Sequence, residues 1–174
     1  MSTGTGPAAS SPAASTIRPA APADAQAISE LIQRLARFFT LRPDGEGAEA
    51  FLETIRPAAI REYLESGEYH FLVAEVGDGA EARLAGVVAV RGTCHLFHLF
   101  VSPDFHRQGI ASRLWQRAKQ AAIRAGNSRG EFSVFSTPYA VPVYESFGFR
   151  ATGPRQEKDG IAFVPMRLEA GAQE

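Results

Sequence analysis

The stretch His95-Leu96-Phe97-His98-Leu99-Phe100-Val101-Ser102-Pro103-Asp104-Phe105-His106-Arg107-Gln108-Gly109-Ile110-Ala111-Ser112-Arg113-Leu114 decides how the rest of the chain is read. His95–Val101 reads as a strand that follows a turn at Gly92-Thr93, and it runs into a loop whose last glycine opens a helix. From there Ile110, Leu114, Ala118 and Ala122 share one helical face, with Ala111, Trp115 and Ala121 beside them, until Gly126 stops the helix. The first turn of such a helix has backbone N–H groups without intrahelical partners, at the positive end of the macrodipole. Gly109 lets the backbone approach a ligand, and Ala111 and Ser112 keep the next turn small. The junction is a ready site for phosphate or pyrophosphate. Neither the dinucleotide fingerprint Gly-x-Gly-x-x-Gly nor the Gly-x4-Gly-Lys-Ser/Thr loop occurs, so the cradle serves a different phosphorylated ligand.

The chain of 174 residues has the length of about one domain. After Met1, residues 2–16 contain only Gly, Pro, Ala, Ser and Thr. Such a segment cannot bury enough apolar area to offset its ordering entropy, so residues 1–15 are expected to be a disordered tail and residues 16–170 one domain. With 18 Lys and Arg against 19 Asp and Glu, no basic excess points to a nucleic-acid partner. Hydrophobic residues at 45% and charged residues at 21% exclude wholesale disorder. The one cysteine, Cys94, excludes an internal disulfide and a multi-cysteine metal site. No apolar run approaches the ~18–20 residues of a membrane span, and no secretory leader pattern is present. A cytoplasmic protein without membrane or metal partners is expected.

Working outward, Ile17–Ala20 is a short edge strand, because Pro19 removes a ladder donor. Asp24 is expected to cap a helix that carries Ile28, Leu31, Ile32, Leu35 and Phe38 or Phe39. A second helical stretch from Phe51 to Leu64 should break or kink at Pro57. Tyr69–Val76 and Arg83–Arg91 read as strands around Gly77-Asp78-Gly79. Beyond the central helix come a strand at Glu131–Ser136, a short helix from Pro138 to Phe147, and strands at Phe149–Thr152 and Ile161–Leu168. The order is β-α-α-β-β-β-α-β-α-β-β, an α/β pattern.

At His106-x-x-Gly109-x-Ala111 the chain resembles motif A of the GCN5-related N-acetyltransferases (the GNAT superfamily), in which Arg/Gln-x-x-Gly-x-Gly/Ala holds the pyrophosphate of acetyl-CoA. His106 stands where Arg or Gln is usual. Thr137-Pro138-Tyr139-Ala140-Val141-Pro142-Val143-Tyr144-Glu145-Ser146-Phe147-Gly148-Phe149 resembles motif B. The resemblance spans Ile17 to Leu168. It implies the GNAT fold, a mixed central sheet of six to seven strands flanked by about four helices and splayed between the fourth and fifth strands. It also implies acetyl-CoA as co-substrate, no metal, and cofactor contacts from Leu99, Phe100, Val101, His106, Arg107, Gln108, Gly109, Ile110, Ala111, Ser112, Thr137, Ala140 and Tyr144. Many relatives carry Asn where Phe135 stands here, so one side-chain contact to the cofactor is missing.

Acetyl transfer to an amine needs a neutral nucleophile, a donor for the developing oxyanion and a proton for the departing thiolate. The resemblance makes Tyr144 the candidate proton donor; a core tyrosine sharing a helix face with Ala140 and Phe147 is the structural alternative. His95 stands where some relatives carry a basic Glu, and an ordinary imidazole suits proton acceptance near neutrality. Strand alternation puts His95, Phe97, Leu99 and Val101 on one face and His98, the second candidate base, on the other, unless a bulge re-aims them. Backbone N–H near Phe100 or Val101 is the expected oxyanion donor. Acceptor recognition falls to Phe39–Gly47, the second helix and Arg155–Gly160. Glu62, Glu65 and Glu68 either attract a cationic amine or form a solvated helix face.

The resulting expectation is an acetyl-CoA-dependent N-acetyltransferase acting on a primary amine of a small molecule in a ternary complex. A protein or peptide N-acetyltransferase is the second reading within that class. From other classes stand a non-catalytic acyl-CoA-binding sensor and a structural homodimer joined through the terminal strands.

Overall fold

The sheet is built on β3 (Arg83–Arg91), whose central residues Ala85–Val90 are buried on both faces in the computed structural model. That continuous burial is why its sequence is an unbroken run of small and branched apolar residues rather than an alternation. The structure describes residues 14–171. The expected tail therefore lies outside the described residues except for Ala14 and Ser15, and Ser15 already opens a strand.

In chain order the elements are β1 (Ser15–Pro19), α1 (Ala25–Leu35), α2 (Glu49–Thr54), α3 (Pro57–Ser66) and β2 (Tyr69–Val76), then β3 and β4 (His95–Val101). They are followed by α4 (Ile110–Arg124), β5 (Phe132–Ser136), α5 (Val141–Ser146), β6 (Arg150–Ala151), β7 (Gln156–Lys158) and β8 (Ile161–Leu168). The strand order is β1-β2-β3-β4-β5-β8-β6, with β7 paired to β8. Only the β4–β5 pair is parallel among the described strands, joined by the crossover through α4. This is the GNAT fold expected from the sequence. One detail differs, in that β7 adds an eighth strand; the second helical stretch breaks at Pro57 as expected, which makes five α-helices among the described residues. Pro57 sits at the first position of α3, where its missing N–H is harmless.

The sheet divides the core. On one face α4 and α5 pack Ile110, Leu114, Trp115 and Tyr144 against Leu96, Phe132, Val134 and Phe149. On the other, α1 and α3 pack Ile28, Leu31, Ile32 and Ile60 against Phe71, Val73 and Val87. Gly86 of β3 permits the first closure: a Cβ there would lie 3.0 Å from both the Leu114 side chain and the Phe100 carbonyl. Asp24 does not cap α1. Its carboxylate instead accepts from the Ala21 N–H and from Arg18 of β1, and Arg18 also reaches Glu75 of β2. The charged partner outcompetes the helix N–H groups for the same oxygens.

Candidate active site

Pairing between β4 and β5 ends at His95↔Ser133 and Leu96↔Val134. On its other edge β4 stays hydrogen-bonded to β3 as far as Val101, opposite Gly86. Beyond Leu96 the β5-facing edge of β4 therefore has no strand to pair with, and its backbone groups are free to bind a ligand. A cleft of about 730 Å³ opens there.

Leu99, Phe100 and Val101 line it from β4, His106 and Arg107 from the loop, and Gly109, Ile110, Ala111 and Ser112 from the start of α4. Thr137, Ala140 and Tyr144 line the opposite wall. Gln108 is exposed and stands outside the lining. The first bond closing α4 runs from the Arg113 N–H to the Gly109 carbonyl, 3.0 Å. The N–H groups of Ile110, Ala111 and Ser112 precede it and have no carbonyl of their own helix to meet. Arg107 and Gly109 are both left-handed, at φ 62 and 75°. Such turns gather successive N–H groups into an anion-binding concavity. A Cβ on Gly109 would meet nothing within 4 Å, so this position favours glycine for its φ angle and not for space. A left-handed arginine costs roughly 1–3 kcal/mol, the kind of strain found at ligand clamps. His106 braces the turn, its Nε2–H donating to the Val101 carbonyl at 2.9 Å.

Tyr144 is held on α5 by edge contacts with Phe147 and Phe149. It is 6% exposed and lines the cleft. Burial pushes its phenol well above the ordinary value, so the O–H stays protonated and available as a donor. Thr137 accepts from the Ala140 N–H and fixes the turn that leads into α5.

The histidines of β4 do not follow simple alternation. The register slips between Ala89 and Val90, which pair with His98 and Leu96, leaving Phe97 as an extra residue. His98 lies with Phe100 on the α1/α3 side and the bulge brings Phe97 there too, so that the His98 ring is 4.1 Å from Phe97, 5.6 Å from Phe100 and 6.2 Å from Phe71. His98 is buried, lines the cleft, and its Nε2 has no hydrogen-bond partner. Burial pushes its pKa down to about 3, against a smaller opposing effect of a hydrogen bond with the Phe97 backbone. His95 does not line the cleft. Its Nδ1 is bonded to the Ser133 hydroxyl at 2.8 Å, where the strands are still paired, and burial, with Arg91 adding to it, lowers its pKa.

Arg37, Phe38, Phe97, Tyr139 and Val143, none of them given a site role from the sequence, also line the cleft. Only Tyr139 had a visible signal, a ring in a Pro-containing turn where no core periodicity demands one. Phe135 is 61% exposed on the same wall and packs on Phe163 and His95. The loop after α1 docks on the β7–β8 hairpin through Leu41 N–H to Gly160 carbonyl, 2.8 Å, and a Thr40↔Ile161 bridge. Gly160 is indispensable there, since a Cβ would lie 2.4 Å from Gly47 backbone. Glu62, Glu65 and Glu68 are exposed and outside the lining, the first two on the solvated face of α3 and Glu68 beyond its end at Gly67. Among the described residues no group of three or more His, Cys, Asp or Glu is placed to hold a metal ion. No described helix is long and apolar enough to cross a membrane.

A strand pair parted over a left-handed turn and a helix N-terminus is the arrangement that the resemblance to the GNAT class implied. The family model described as an acetyltransferase (GNAT) domain matches residues 40–170, and the chain belongs to that family. A UPF0039 protein of Schizosaccharomyces pombe is 32% identical over 77 residues, 44% of this chain and 51% of that protein. The chain thus spans about half the length of the curated relative it matches. A GCN5-related N-acetyltransferase from Rhodopseudomonas palustris superposes with a TM-score of 0.68 at 20% identity, covering 94% of this chain and 99% of that one. PaiA N-acetyltransferase from Thermoplasma acidophilum, solved in complex with coenzyme A, gives 0.65 at 16% identity, covering 90% and 99%. The ribosomal-protein-S18-alanine N-acetyltransferase of Escherichia coli gives 0.62 at 19% identity, covering 92% and 97%. At these identities the solved structures share the fold with this chain.

Proposed function

We propose that the protein moves the acetyl group of acetyl-CoA to a primary amine of a small molecule, by direct attack of the amine within a ternary complex. The observation that carries this is the meeting, in one cleft, of the Arg107–Ser112 cradle, the unpaired edge of β4 and Tyr144. The cofactor supplies an activated thioester carbonyl. The free N–H groups of Ile110, Ala111 and Ser112 hold its pyrophosphate, as helix N-termini do. The unpaired backbone of β4 between Phe97 and Val101 takes the amides of the pantetheine arm and donates to the carbonyl oxygen as negative charge develops there.

Tyr144 gives its phenolic proton to the departing sulfur, and burial keeps that proton in place until it is needed. The acceptor reacts as its free base. An ordinary lysine-like amine has a pKa near 10.4, and a cleft without acidic side chains among its described lining residues favours the uncharged form. The balance is one amide N–C bond formed and one C–S bond broken; the acceptor ammonium loses two protons, one released to solvent as it becomes the free base and one that replaces the proton Tyr144 gives to the sulfur.

The test is thiol release from acetyl-CoA with a panel of small amines and short peptides. Release that depends on a small amine supports the reading. Release with peptides alone would replace it by a peptide N-acetyltransferase, and acetyl-CoA binding without release by any acceptor would favour a sensor.

A further inference from the structure

Four of the five large apolar side chains that stand exposed among the described residues, Phe38, Phe135, Tyr139 and Val143, line this one cleft. Exposed apolar side chains are ordinary when scattered; gathered on one concavity they mark a binding surface. Phe38 follows α1 and Tyr139 precedes α5, yet their rings stack at 5.6 Å and 24°. Together they make an apolar platform between the two walls. The charged side chains among the lining residues are Arg37 and Arg107, and none is acidic. Arg37 lies over the Phe38 ring, its guanidinium carbon 4.8 Å from the centre. A ligand with a second cationic centre would meet positive charge here with no carboxylate to offset it.

One polar group lies deeper on this lining. His98 is 6% exposed, sits among the rings of Phe71, Phe97 and Phe100, and leaves Nε2 unpartnered. A buried imidazole without a charged partner is neutral, with one nitrogen donating and the other offering a lone pair. A native orphan of this kind calls for an explanation, and a ligand N–H supplies one.

We propose that the acceptor is a primary amine on an apolar, ring-bearing small molecule without a second cationic centre, its amine hydrogen-bonded to His98 and its ring against Phe38 and Tyr139. This rests on the reading of the cleft as the transfer site and names the substrate class for it. His98 acts as a positioning residue, aiming the nitrogen while its lone pair faces the thioester.

The experiment uses the full chain saturated with CoA and measures binding of 2-phenylethylamine, spermidine and an alanine-initiated peptide by calorimetry. Initial rates with acetyl-CoA are measured alongside. 2-Phenylethylamine binds at least tenfold more tightly than spermidine or the peptide, and Phe38→Ala or Tyr139→Ala weakens it at least fivefold. His98→Phe raises the KM for the amine about tenfold without changing the KM for acetyl-CoA, and His98→Asn, which restores an acceptor atom, recovers part of the loss. Spermidine or peptide binding as tightly as the ring-bearing amine would overturn the proposal, as would platform variants that leave its affinity unchanged. If CoA binds and the ring-bearing amine does not, this proposal alone falls. If CoA itself fails to bind, the transfer reading falls with it.

Discussion

The Nε2 atom of His106 lies 2.9 Å from the carbonyl oxygen of Val101, tying the loop ahead of α4 to the end of β4. The bond spans the two structures that form the cradle, the unpaired strand edge and the left-handed turn at Arg107. His106→Ala should loosen that turn while leaving the core intact. A hydrogen bond of this kind contributes about 1 kcal/mol net, which predicts about a fivefold rise in the KM for acetyl-CoA. His106→Gln, which can still donate to Val101, should lose less. Steady-state rates with acetyl-CoA varied at saturating acceptor check both.

Gly109 holds φ at 75°, and a Cβ there would touch nothing within 4 Å. The penalty of Gly109→Ala is therefore conformational. Forcing an L-residue into the left-handed region costs about 1–2 kcal/mol, which lowers the melting temperature by roughly 2–8 °C in a domain of this size. If the backbone relaxes instead, the N–H groups of α4 are re-aimed and acetyl-CoA stabilisation falls. Thermal unfolding with and without acetyl-CoA separates these two contributions.

Tyr144→Phe removes the phenolic oxygen and leaves the ring contacts with Phe147 and Phe149 in place. General-acid roles contribute about 10²–10⁴ in rate. The expected result is a fall in kcat of about a hundredfold or more, with the acetyl-CoA dissociation constant within about twofold of wild type. A variant that keeps wild-type turnover would return Tyr144 to a packing role.

His98 gives a pH signature in stability. Its folded pKa is depressed from 6.5 to about 3 by burial, so the unfolded chain takes up a proton that the folded chain refuses. The contribution is complete above the unfolded value and is lost as pH falls below it, at up to about 1.4 kcal/mol per pH unit. Urea unfolding at pH 7 and pH 5 should show wild type losing about 2 kcal/mol more than His98→Phe. Equal losses in the two proteins would mean that His98 titrates normally.

Much of this architecture was legible because its signals are local. Gly109 before a helical stripe, the turn at Gly77-Asp78-Gly79 and the break at Pro57 each act within a few residues, and each stands where the sequence put it. The Phe97 bulge was not legible, since it arises from how β4 seats on β3 and leaves no mark in the order of residues. It is the reason that Phe97 joins His98 and Phe100 on one face. Asp24 was misread for a related reason: its partners, Arg18 and the Ala21 N–H, outrank the helix only in the folded chain. The Phe38–Tyr139 platform joins residues about a hundred positions apart, and no periodicity connects them.

The most direct measurement is thermal unfolding of the full chain over a titration of acetyl-CoA. If the Arg107–Ser112 turn and the open edge of β4 are the cofactor cradle, ligand at about 100 times its dissociation constant adds roughly 2.7 kcal/mol of stability. The melting temperature then rises by roughly 5–11 °C, and Gly109→Ala blunts the rise. A melting curve unmoved by acetyl-CoA at any concentration would contradict the account at its foundation.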